Sequence, residues 1–316
     1  MATRWNIGSL DLGVVDLDGA LDQQVESMGR ACRELGFFRL PIDVVAPAVR
    51  DDAWSAAVQF LALDIDTKRV ISFPEPGYPY GYSPFRAETL SRSQADGEAQ
   101  PDLKESLSAG PDCGGSRTPR PGEEWICSPS LWPDEVPELQ GAWTAYYRVL
   151  SEVADRLLGV MALALDLPGT YFEPFVNRPI TSMRAIRYPA VAEPGDALRA
   201  GAHSDYGTFT ILRTDDMAGL EVQDRSGGWH AITPDPDFFV VNLGDTIAQW
   251  TNDRWRSTVH RVVPGPAERH SFAFFHMANW DARIECLPTC LEPGSIPNHE
   301  PVEAGPWLMR KFQSTV

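Results

Sequence analysis

From Ser182 onward the chain changes texture, and that change restricts the folds open to it more than any other feature. Short apolar runs alternate with turn clusters: Met183–Tyr188, Phe209–Leu212, Leu220–Val222, Phe238–Leu243, His260–Val263 and Ser271–Phe275. Such runs have strand length rather than helix length. Asp224–Gly228 carries a Gly-Gly pair suited to a hairpin. Many short strands joined by turns predict a sandwich or jelly roll.

The first half reads differently. Leu21, Val25, Met28, Cys32 and Leu35 recur at helical spacing, with Asp18 placed to cap that helix and Gly36 to end it. Short strands are expected on either side, at Val14–Leu17 and Phe37–Leu40. A second helix is expected from about Val45 to Leu63, and a long one from about Val136 to Leu165. Trp143, Tyr147, Leu150, Ala154, Leu157, Met161 and Leu165 line one side of the long helix, and Pro168-Gly169 stops it. Between these helices, roughly Ser72 to Pro133 is rich in Gly, Pro, Ser and Asp. It reads as long surface loops, with one short strand near Leu103–Leu107. The expectation is one integrated domain, mainly β with flanking helices. An N-terminal helical and loop region would cover 1–170, a jelly-roll core 171–290, and a C-terminal extension 291–316.

Bulk properties narrow the function. A chain of 316 residues needs no cross-links merely to fold. Its 27 basic and 44 acidic residues give a net charge of 27 − 44 = −17, which repels phosphate backbones, so nucleic acid is not an expected partner. A small anion in a locally basic pocket stays open. The cysteines, Cys32, Cys113, Cys127, Cys286 and Cys290, are odd in number, and no second close pair joins Cys286 and Cys290 in a zinc pattern. They are expected to be free thiols. Met1–Asn6 leads into no apolar segment of the secretory type. Arg148, Glu152, Asp155 and Arg156 interrupt the apolar stretch Trp143–Leu165, so no membrane span is expected there. The expectation is a cytoplasmic protein with a small-molecule partner. Oligomeric state is not readable.

Chemistry concentrates after residue 200. In Ala202-His203-Ser204-Asp205 a His and an Asp stand two apart, which on a strand puts both side chains on one face. His260 follows 55 residues after Asp205 and completes a three-ligand set if its segment is a strand crossing the first. Two imidazoles and one carboxylate leave open positions of the kind that Fe(II) oxygenases use. A zinc site would more often recruit Cys or a third His. H-x-D alone is a common pattern, and its surroundings give it weight. Arg269 and Ser271 would share a strand face, and a guanidinium fork beside a hydroxyl can cradle a carboxylate. A dicarboxylic 2-oxo acid could chelate iron at one end and be clamped by Arg269 at the other.

These segments resemble the isopenicillin N synthase-like family of 2-oxoglutarate/Fe(II)-dependent dioxygenases. The similarity runs in order through Leu35-Gly36-Phe37-Phe38, Asp102-Leu103-Lys104-Glu105, Met183–Pro189, His203–Gly207, Gly219–Gln223, Val241–Asp245, Trp250–Arg254, Ser257–Val263 and Arg269–Phe275. The resemblance implies a double-stranded β-helix (cupin-like) core with His203, Asp205 and His260 on iron. It also implies Arg269 and Ser271 on the distal carboxylate of 2-oxoglutarate, with Tyr188 helping. Fe(II), 2-oxoglutarate and O₂ would then hydroxylate, desaturate or cyclise a small organic molecule, releasing succinate and CO₂. Ile186 stands where many plant members carry Asn, which weakens the case for Tyr188. Arg187 could meet an acidic substrate or be solvated. His276 is a candidate to face substrate, while His270 should face away from Arg269. Phe272, Phe274 and Phe275 are expected in the core. Substrate-shaping segments would be about Tyr78–Gly122 and Trp307–Phe312. Two alternatives stand beside this: a 2-oxoglutarate-independent oxidase of the isopenicillin N synthase type, and an inactive ligand-binding protein on the same fold.

Overall fold

The structure is a computed structural model that describes residues 9–93, 100–111, 113, 118–191 and 196–313. Met1–Asn6 and parts of the Tyr78–Gly122 loop, together with the expectations placed on them, lie outside the described residues. Fourteen strands are described: β1 Ser9–Leu10, β2 Phe37–Pro41, β3 Gly81–Ser83, β4 Glu105–Ala109, β5 Ser182–Tyr188, β6 Ala200–His203, β7 Phe209–Thr214, β8 Leu220–Gln223, β9 Trp229–Ile232, β10 Phe238–Leu243, β11 His260–Val262, β12 Arg269–His276, β13 Arg283–Ile284 and β14 Val302–Glu303. The α-helices are α1 Leu21–Glu34, α2 Pro47–Ala62, α3 Ile65–Arg69, α4 Glu138–Ala164, α5 Glu173–Val176, α6 Asp245–Trp250 and α7 Ala304–Gln313. Among the described residues, no helix is long and apolar enough to cross a membrane.

Two sheets form the core. The smaller has the order β1-β9-β8-β11-β6 and the larger β2-β10-β7-β12-β5-β4-β3. Leu12, Phe37, Ile186, Tyr188, Ala200, Leu220, Val222, Ile232, Val240 and Val262 form the apolar cluster shared by the two sheets. The outer face of the larger sheet is covered by helices. Strand β12 alternates as a strand buried on both faces must. Phe272 and Phe274 meet Trp143, Tyr146 and Tyr147 of α4 at ring-centroid distances of 4.6 to 5.5 Å. Arg269, Ser271 and Phe275 belong to the opposite face, so Phe275 departs from the expected core role and is only half-buried.

Several local expectations change. Asp18 does not cap α1; the cap position is Ala20, and Asp18 pairs with Arg156 of α4 at 2.6 Å. Val14–Leu17 forms a single bridge to Arg39 rather than a strand. Gly36 does end α1, at φ +73, where a Cβ would collide with the Arg256 carbonyl. Cys113 and Cys127, expected as free thiols, form a disulfide, because their Cα atoms come within 5.4 Å of each other, inside the span of such a bond. Cys32, Cys286 and Cys290 are free.

The split of β12 into two faces is testable. Phe272→Ala should cost about 3–5 kcal/mol in urea unfolding of the metal-free protein. Phe275→Ala should cost clearly less; equal costs would contradict the assignment of faces.

Candidate metal and co-substrate site

The register of the smaller sheet creates the site. Strands β6 and β11 are antiparallel neighbours, and His203 and His260 are direct cross-strand partners. The second strand therefore lies beside the first rather than crossing it. Asp205 is not on the strand at all, since β6 ends at His203. It reaches the same point from the turn that follows.

Hydrogen bonds aim all three groups. The His203 Nδ1–H donates to the Gly201 carbonyl at 2.7 Å, and the His260 Nδ1–H to the Thr258 carbonyl at 3.1 Å. A carbonyl accepts only, so each Nε2 is left with its lone pair. These Nε2 atoms lie 3.7 and 3.8 Å from Asp205 Oδ1. One ligand atom from each residue falls within 4.8 Å of the others. The second carboxylate oxygen, Oδ2, accepts from Asn242 Nδ2 at 2.7 Å and from the Thr210 hydroxyl. The Phe37 and His260 rings meet in a T-shaped arrangement with centroids 5.5 Å apart.

The protonation states suit a cation. Burial, reinforced by the charge of His260, lowers the His203 pKa to about 3 against the pull of Asp205. Burial works to raise the Asp205 pKa, but His260, His203, Asn242 and Thr210 together lower it below the usual range. Neutral imidazoles and an ionised carboxylate are the forms that bind a divalent metal.

Deeper in the barrel, Arg269 and Ser271 pair in register with Tyr188 and Ile186 of β5. Arg269 is only 1% exposed. Its Nε donates to the Met217 carbonyl at 3.2 Å, and its guanidinium sits 5.0 Å from the Tyr188 ring centroid. Its Nη1 is buried and has no acceptor among the described residues. The Ser271 and Tyr188 hydroxyls are 3.5 Å apart. An orphaned buried guanidinium nitrogen beside two hydroxyls fits an incoming carboxylate. Ile186 is part of the inner apolar cluster.

Other candidates move elsewhere. Arg187 is on the outer face and pairs with Glu105 at 2.8 Å and Glu268 at 2.6 Å, so it meets acidic side chains of this chain rather than a substrate. His270 also faces outward, near Asp215 and Glu268. His230 closes the Asp224 hairpin at 2.6 Å. His276 does not face the site: it shares the outward face of Phe272 and Phe274, stacks on Phe209 at 4.8 Å and bonds Thr208 at 2.6 Å. It lines a cavity of about 1080 Å³ beside α4 that contains none of the three clustered groups. The C-terminal helix α7 does reach the site's surroundings. Trp307 and Lys311 lie against Tyr206, the residue after Asp205, and Lys311 pairs with Asp245 at 3.2 Å. Asn242 and Thr210 had no role in the sequence reading; a polar residue on the inward parity of an apolar strand was the available signal.

The sequence model described as the 2OG-Fe(II) oxygenase superfamily matches residues 179–278, and the one described as non-haem dioxygenase in morphine synthesis N-terminal matches residues 8–135. The chain is 32% identical over 294 residues to the 2-oxoglutarate-Fe(II) type oxidoreductase hxnY of Emericella nidulans, covering 90% of this chain and 83% of that one. It is 31% identical to the homoarginine-6-hydroxylase 2-ODD-233 of Oryza sativa subsp. japonica, covering 96% and 93%. A full-length Neurospora crassa protein, solved in complex with alpha-KG, superposes with a TM-score of 0.83 at 26% identity over 98% of each chain.

His276 supplies a pH prediction. Burial lowers its pKa from 6.5 to about 3. Between those values the unfolded chain binds a proton that the folded chain refuses, so stability falls as pH drops; above 6.5 the group contributes nothing. Unfolding midpoints of the metal-free protein from pH 7 to 4 should therefore fall less steeply in His276→Gln than in the wild type. Parallel slopes would show that His276 titrates normally in the folded state.

Proposed function

Because the chain belongs to the isopenicillin N synthase-like superfamily of 2-oxoglutarate/Fe(II)-dependent dioxygenases, we propose that His203, Asp205 and His260 hold its iron and that Arg269, Ser271 and Tyr188 hold its co-substrate. The protein is an Fe(II)- and 2-oxoglutarate-dependent oxygenase that acts on a small organic molecule. The observation that carries the residue assignment is the convergence of two Nε2 atoms on Asp205 Oδ1. The buried Arg269 Nη1 without an acceptor supports the other half.

Iron, 2-oxoglutarate and O₂ together supply the oxidising chemistry, with one oxygen atom passing to succinate and the other available to the substrate. The chain's own residues bind and orient. Gly201 and Thr258 hold the imidazole tautomers, Asn242 and Thr210 occupy the Asp205 oxygen that faces away from the imidazoles, and the inner apolar cluster keeps water out. No side chain needs to act as a general base. The reaction on that molecule is hydroxylation, desaturation or cyclisation, in specialised metabolism, and the similarity to homoarginine-6-hydroxylase 2-ODD-233 supports the first. The Neurospora crassa protein has also been solved with thymine, which supports a substrate of small-molecule size. The three sequence regions act as one unit in this reading, since α4 packs on β12 and α7 on Tyr206. We place the chemistry in the cytoplasm, whose reducing conditions keep ferrous iron available.

Anaerobic Fe(II) loading tests the assignment. Addition of 2-oxoglutarate should produce the weak visible charge-transfer band of a chelated 2-oxo acid. Asp205→Ala should lose iron binding and turnover. Arg269→Ala should keep iron but need at least about 10-fold more 2-oxoglutarate, the scale of one charge-assisted hydrogen bond. An unchanged requirement would point to another carboxylate clamp.

A further inference from the structure

The segment Asp102-Leu103-Lys104-Glu105 is not used by the reading above, although two of its charged side chains are buried beside the site. Asp102 is 1% exposed and Lys104 4%. The Lys104 ammonium lies 3.2 Å from both Asp102 Oδ2 and Glu88 Oε2, and Glu88 is held in turn by Arg184 at 2.8 Å. Two cations and two anions therefore balance, with Asp102 and Lys104 out of water and Glu88 and Arg184 partly exposed. Burying even one such pair is costly unless its arrangement has another use.

That use is visible at Asp102 Oδ1, which accepts the Gly201 N–H at 2.9 Å. Gly201 is the residue whose carbonyl holds His203 Nδ1. It lies on β6, the last strand of its sheet, which among the described strands pairs only with β11, and the pairing slips between His260 and Val262. An edge strand with an irregular register is weakly fixed. The missing neighbour is supplied by the N-terminal half of the chain. Asp102 accepts from Gly201, the Leu103 N–H donates to the Leu198 carbonyl at 2.9 Å, and the Asp102 carboxylate also accepts the Leu90 N–H at 3.1 Å. The fit is close, since a Cβ on Gly201 would stand 2.8 Å from Ser91.

We propose that Asp102 is a positioning residue that stands in for a missing strand, fixing Gly201 and through it the His203 imidazole, with Lys104 as the counter-charge that lets Asp102 stay buried. Its use in catalysis rests on His203 being an iron ligand, but the restraint on β6 itself does not.

The test separates the two. In the metal-free protein, hydrogen exchange over residues 198–204 reads the restraint directly. Asp102→Ala should speed exchange in this segment and leave β8 and β10 unchanged. Fe(II) affinity, measured anaerobically by titration, should fall about 10–100-fold, the scale for removing an outer partner of a metal ligand. The 2-oxoglutarate requirement at saturating iron should stay put. The double variant Asp102→Asn/Lys104→Met keeps an acceptor for Gly201, removes both charges and leaves the amide donor facing only the Leu90 N–H, so it should exchange more slowly and bind iron more tightly than Asp102→Ala without reaching the wild type. If Asp102→Ala does not fold, Asp102→Asn alone serves as the damaging change, because its amide must set a donor against either Lys104 or Gly201. Unchanged exchange in the damaging variant would overturn the proposal, as would a double variant as loose as the single one. Faster exchange with unchanged iron affinity would leave the restraint on β6 standing and overturn its role in positioning His203.

Discussion

The pairing of β6 with β11 is the constraint on which the site depends. It sets His203 directly opposite His260, and cross-strand partners bring their Cβ atoms to about 5 Å. Two imidazoles this close could not both be charged, and burial together with the neighbouring ring keeps His203 neutral. A one-residue slip would turn His260 out of the barrel, so the register of one strand pair decides whether the site exists. The carboxylate brings in the other sheet. Asp205 stands past the end of β6, and its Oδ2 is held by Thr210 of β7 and Asn242 of β10, both in the larger sheet. The candidate metal centre thus spans the closure of the barrel, and any change in how the two sheets pack would separate its parts.

Much of this was legible because strand alternation is a local property. Met183–Tyr188, Phe238–Leu243 and Arg269–Ser271 carry their faces in their spacing, and β5, β10 and β12 follow. The same rule placed Arg269 and Ser271 on one face and His270 on the other. It also places His276, whose even number puts it with Phe272 and Phe274 and away from the site. What could not be read depends on distant partners. Strand β6 is four residues with a glycine in it, and it exists because β11 and Asp102 satisfy its backbone. Thr210 and Asn242 stand out only as polar residues on an inward parity, and their role depends on Asp205 arriving from another segment. Asp18 had the right type for a helix cap, but Arg156, 138 residues away, binds its carboxylate instead. Cys113 and Cys127, 14 residues apart, likewise meet through a placement that their spacing does not show.

The electrostatics of the interior run against those of the whole chain. The net charge is −17, yet Arg199 and Arg269 are both nearly inaccessible, at 2% and 1% exposure. Burial lowers the Arg199 pKa, and the guanidinium of Arg269 lowers it further. Arg199 directs its Nη2 at the carbonyls of Pro189, Gly265 and Ala267, which ties down the turn just before Arg269. Arg269 has no carboxylate partner among the described residues, and its Nη1 bonds nothing there. A buried cation beside another cation, with a donor unspent, is stabilised most by an anion that enters and stays. The acidic surface does little to oppose this, since exposed charges are screened within about 8 Å at physiological salt, whereas a pair formed inside the barrel is not. The surface charge should therefore slow the arrival of a dicarboxylate more than it weakens its binding, and the affinity of the proposed co-substrate site would be set by how completely one guanidinium and two hydroxyls replace the water that the ligand gives up.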